Sequence, residues 1–184
     1  MPAAQPSARY ARRQGLAVGD YLALIGELSI GVAGFSGVVA ALSQRSAGEW
    51  RPVDVLRFQM LIRQSVAVAM GAVFPALLLS AGLSGPMLWR GISGLWLLIT
   101  PVAIARLMQR GNAVISANPE DTSRPLYFFV TAVPVASVLL QVANVSVVAS
   151  PWPHLATLTL GLLVAALLFV RLATVAFTSA RPGA

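Results

Sequence analysis

Five long apolar stretches, each close to the length of a bilayer crossing, constrain this chain more than any other feature. They cover residues 21–42, 64–83, 87–108, 126–149 and 155–177. An α-helix needs about 20 apolar residues to cross a hydrocarbon core about 30 Å thick. Runs such as LTLGLLVAALLFV lack the polar–apolar alternation of a membrane β-barrel, and in lipid only helices or closed barrels satisfy the backbone. The sequence therefore predicts an all-α, polytopic integral membrane bundle of five hydrophobic segments, four or five of them spanning. Composition agrees, because 57% of residues are hydrophobic and 10% charged, against about 45–50% and about 25% in soluble domains. The domain reading is a basic flexible tail over 1–19, one transmembrane domain over 20–178 that includes an amphipathic basic region at 45–63, and a short tail over 179–184.

Charge then sets the topology. The net charge of +7 comes from 13 arginines, with no lysine, against six acids. In a soluble protein that balance would point to nucleic acid; here the arginines sit at segment ends, where positive charge marks the cytoplasmic side, and nucleic acid is not an expected partner. Short Pro/Gly turns at 82–86 and 150–154 join segments two to three and four to five into hairpins, while the longer connections at 43–63 and 109–125 carry the charge. Nine arginines fall at the end that holds those loops and the C-terminus. If the first segment spans, Arg9, Arg12 and Arg13 lie outside with Arg90; if it dips in and returns, or lies within the interface, the tail is cytoplasmic and four segments span. The expected location is the cell membrane, multi-pass.

Within 45–63, Pro52 suits a first helical turn, Asp54 suits the positive end of the dipole, and Arg57 follows at i+3. The predicted helix runs on into the second span, about 30 residues or about 45 Å. Arg45, Arg51, Arg57 and Arg63, mixed with Trp50, Phe58 and Met60, are candidate contacts to anionic lipid headgroups. The plainer reading of the same residues is an ordinary positive-inside loop.

Several patterns lie inside the spans. Ser29, Ala33, Gly37 and Ala41 recur every four residues, a small-residue stripe suited to close helix packing within the chain or between copies. Ser137, Gln141 and Asn144, at i, i+4 and i+7, form one polar face, either a cavity lining or interhelical hydrogen bonds. Pro75, Pro101 and Pro134 each free the carbonyl four residues earlier, which kinks a helix or offers a cation ligand. Glu27 stands alone in LIGELSIGVAGFSGVVAAL, and its expected salt-bridge partner is Arg90 if the tail is outside or Arg171 if it is inside; the alternative is a proton or cation site.

The inventory holds no catalytic constellation. No two acids share a helical turn inside a span, cysteine is absent, and His154 is the single histidine, so neither thiolate chemistry nor a zinc site is expected, nor any cofactor. The leading functional expectation is a homo-oligomeric channel or permeation pathway lined by the fourth-segment face. The alternative is a non-catalytic accessory subunit that docks a partner protein or lipid, with a small transporter behind both.

Overall fold

The computed structural model describes the backbone of residues 8–47, 51–121 and 123–179, with side-chain surroundings for 17–41, 51–120, 123 and 125–175. The side chain of Arg45, together with Trp50, residues 1–7 of the expected tail and 180–184 at the C-terminus, lies outside what is described. Five helices follow in order: α1 (Ala8–Ala47), α2 (Pro52–Ser80), α3 (Pro86–Ala117), α4 (Arg124–Ala143) and α5 (Pro151–Ser179). A single 3₁₀ turn, Pro119–Asp121, precedes α4, and a π-helical turn, Asn144–Val148, follows it. All five helices are long and apolar enough to cross a membrane, and the chain is a multi-pass membrane protein.

Proline and glycine punctuate the ends for physical reasons. Pro52, Pro86, Pro125 and Pro151 each stand in the first turn of a helix, where the missing N–H has no partner to lose. The α2–α3 connection closes with Gly82 at φ 85°, the Gly82 N–H donating to the Leu79 carbonyl and Leu83 N–H to that of Leu78, both at 3.0 Å. This pairing satisfies the last carbonyls of α2, and the left-handed residue is a glycine because it carries no Cβ. At the other hairpin two residues suffice, with Ala149 left-handed at φ 48°.

The core fixes helix directions. Leu22 and Ile25 of α1 gather with Val68 and Ala72 of α2, Trp89 and Ile92 of α3, and Leu158 of α5. A second layer joins Leu61, Val133, Val164 and Leu168, with Val32 packed against it. Rising numbers in α1 therefore match rising numbers in α5 and falling numbers in α2. Helices α1, α3 and α5 run one way, α2 and α4 the other. Helix α5 lies at the centre, packed on α1, α2 and α4, while α3 rests mainly on α4 and its π turn.

Three expectations change. The first segment does not dip and return: α1 is one unbroken helix beside α2 and α5, long and apolar enough to cross as the other four are. It also begins inside the expected flexible tail, at Ala8, because ARYARRQ contains no helix breaker and mostly good helix formers. The small-residue stripe is used only at its start, Ser29 being buried, Ala33 half-buried, and Gly37 and Ala41 exposed. Steps of four residues advance 400°, so such a stripe drifts about 40° per step off a straight face. The face that packs is Leu22, Ile25, Gly26, Ser29 and Ser36.

This arrangement puts residue 17 at the same membrane face as the α2–α3 turn. Single cysteines introduced by Ala17→Cys and Ser84→Cys should react with an impermeant maleimide from one side, and Glu120→Cys from the opposite side; labelling of residues 17 and 120 from one side would contradict the five-crossing order.

Candidate functional site

Two features of the spans carry polar chemistry: a buried cluster among α2–α5 and a lone carboxylate outside it. The cluster starts from Pro75. Lacking an N–H, it leaves the Gly71 carbonyl without its helical donor. His154 Nε2 lies 2.9 Å from that carbonyl oxygen. A carbonyl can only accept, so the pattern assigns the proton to Nε2 and leaves Nδ1 as an acceptor. Gln141 Nε2 stands 3.5 Å from Nδ1 and donates to Thr157 Oγ1 at 2.9 Å. The Thr157 hydroxyl is itself committed to the Pro153 carbonyl at 2.9 Å. Each link therefore fixes the orientation of the next.

Asn144 extends the cluster toward the hairpin. Its Nδ2 donates to Ser93 Oγ at 2.8 Å, and its Oδ1 accepts from the Ser150 N–H at 2.9 Å. Asn144 thus ties α3 to the α4–α5 reversal. Gln141, Asn144, His154 and Ser93 are fully buried, and the tryptophan rings of Trp89 and Trp96 pack around the imidazole, the latter edge-on with centroids 5.7 Å apart. Gly71 must be glycine for this approach, since a Cβ there would stand 2.7 Å from Leu158 Cδ2 and 2.8 Å from Trp96 Cζ3. The chain also leaves Gln141 Oε1 without a donor. Turning the amide over does not help, because it would set the oxygen against two acceptors, Nδ1 and the Thr157 oxygen.

Of the polar face Ser137, Gln141 and Asn144, all three are buried, and the two amides are spent on hydrogen bonds between helices. His154 and Thr157 were not singled out by sequence. The signal was present: Pro151 and Pro153 mark a helix start, so SPWPH is the first turn of α5, and His154 and Thr157 sit one turn apart on it.

Glu27 has the opposite surroundings. It is exposed among exposed Leu24, Leu28 and Ile30, near the middle of the Ala17–Ala41 span. Among the described residues it has no ion pair, and Arg90 and Arg171 are exposed and unpaired as well. Arg171 is at the wrong depth. Leu22 and Leu158 share a layer; Glu27 lies five residues beyond the first and Arg171 thirteen beyond the second, a mismatch of about 12 Å.

At the arginine-rich end, Arg57 is not free for lipid. It is buried and pairs with Asp54 at 2.7 Å, while Arg51 and Arg63 are exposed. Beside the pair lies a cleft of about 50 Å³ lined by Met60, Ile115, Leu126 and Tyr127 among others, far below the several hundred Å³ of a typical ligand site. The chain matches no protein-family model, no curated protein and no solved structure.

If His154 serves as the donor that Pro75 removed, the two positions are coupled. His154→Leu should destabilise the bundle by about 2 kcal/mol by leaving Gly71's carbonyl bare, and by about 1 kcal/mol less in a Pro75→Ala background that restores an N–H; equal losses in both backgrounds, read by denaturation in mixed micelles, would contradict the pairing. Because the chain holds one histidine, ¹⁵N-histidine labelling should also give a single neutral imidazole protonated at Nε2.

Proposed function

We infer that this is a non-catalytic subunit of the cell membrane that works by docking another transmembrane helix. The observation that carries the reading is Glu27, a carboxylate on the open side of α1 near mid-span with no ion partner among the described residues. Charged residues at the bilayer centre cost about 2.5–3.5 kcal/mol on the insertion scale, so a chain that keeps one there gains by covering it. Half-buried Gly31 and exposed Gly34, with open space where a Cβ would stand, lend that face the flatness close helix packing uses.

A permeation pathway through one copy has less support, since the residues that would line it are spent on interhelical hydrogen bonds. The exposed arginines Arg51 and Arg63 fit anchorage against anionic headgroups on the cytoplasmic side.

Two measurements test the reading. In bilayer nanodiscs the wild-type protein should occur as an assembly, and Glu27→Ala should shift it toward single copies with little change in unfolding stability; a wild-type monomer with lipid against residue 27 would overturn docking. Liposomes carrying the protein should conduct no more than empty ones, and sustained ion flux would restore the channel reading.

A further inference from the structure

Resting on the docking reading, the question is what covers Glu27. The acid belongs to a continuous open seam. Asp20, Leu24, Glu27, Gly31, Gly34, Val38 and Ala41 alternate by four and three residues, the spacing that keeps one face along a helix. All are exposed except Gly31, which is half-buried. At about 100° per residue this seam lies about 180° from the packed face of Leu22, Ile25, Ser29 and Ser36, so no other helix of the same chain reaches it.

Helix α3 presents a matching surface. Arg90 and Gly91 are exposed, and an added Cβ at Gly91 or Gly94 meets nothing within 4 Å. Arg90 has no ion partner among the described residues. Arg90 lies one residue past Trp89 and Glu27 five past Leu22, and those two apolar side chains share one core layer, so Glu27 sits about 6 Å deeper along the common direction, half the Arg171 offset and a span that a long arginine side chain can bridge. The two helices also run in the same direction. Within one chain they are held apart, α1 resting on α2 and α5 and α3 mainly on α4.

Rotation about an axis normal to the membrane preserves depth, so a second copy brings its α3 to the α1 seam with Arg90 at that same short offset from Glu27. We propose that the occupant of the seam is a second copy of this chain, α1 of one docking on α3 of the next, with Glu27 paired to Arg90 of the partner subunit. One contact then neutralises two unpaired intramembrane charges. An α1–α1 contact would instead set Glu27 against Glu27. Because the two surfaces differ, each copy keeps one of each free, and closure requires a ring.

The chain has no cysteine, so introduced ones report without background. In native membranes, oxidation should link Leu24→Cys chains to Gly91→Cys chains when the two are co-expressed, and neither variant to itself. Glu27→Arg should lower that crosslink at least tenfold, and Glu27→Arg with Arg90→Glu in every copy should restore it. The cysteine pair keeps both charges native, so it reads the interface even if a charge variant fails to fold. Self-linking of Leu24→Cys alone would overturn the α1–α3 contact while leaving docking intact, as would an assembly of wild-type chains in which the mixed pair does not link. Wild-type chains that stay single in the bilayer, with no crosslink, would overturn both.

Discussion

Hydrocarbon offers no hydrogen bonds, and this bundle is arranged around one carbonyl that its own helix cannot satisfy. Pro75 removes the donor for Gly71, and the imidazole of His154, arriving from α5, replaces it at 2.9 Å. Much follows from that contact. Gly71 must lack a side chain so that Leu158 and Trp96 can pack against it; His154 must take the Nε2–H tautomer; Gln141 must then turn its amide nitrogen toward Nδ1 and Thr157. A proline that would merely bend an isolated helix here selects the side chain that crosses to it.

The same constraint separates the inside from the outside of the molecule. Inside, Asn144, Gln141, Thr157 and Ser93 find one another, and the bonds join α3, α4 and α5 into a unit. Individually such bonds contribute modestly, about 0.6 kcal/mol on average in membranes, and their larger effect is to fix which faces meet. Outside, Glu27 and Arg90 find no ion partner among the described residues. A polar cluster bonded largely within the chain, even with Gln141 Oε1 lacking a donor, reads as architecture, whereas unpaired charges on lipid-facing surfaces read as an incomplete assembly. That contrast is why the functional proposal rests on α1 and α3 rather than on the polar face of α4.

The fold class was legible because apolar length alone dictates helices in lipid. The inward direction of Gln141 and Asn144 was legible too, since amides at i and i+3 cannot both face hydrocarbon at low cost. What sequence could not supply was partners across the bundle. His154 looked like a loop residue because SPWPH resembles a turn, although prolines in a first helical turn produce the same letters. The small-residue stripe on α1 misdirected in another way: spacing of four marks a face only briefly, and the packed face follows a 3–4 alternation that contains large residues. Glu27 was recognised as anomalous, but its pairing turned on helix direction, which only the packed layers reveal.

The central claim is that α1 is covered on both faces in the membrane, once by its own chain and once by another. A spin-label scan along residues 20–41, one introduced cysteine at a time in lipid bilayers, measures this directly through mobility and access to oxygen. The account predicts two shielded faces, one containing positions 22, 25 and 29 and the other 24, 31 and 38, with the flanks at 28 and 30 open to lipid. A single shielded face, with 24, 31 and 38 as accessible to oxygen as 28 and 30, would contradict it.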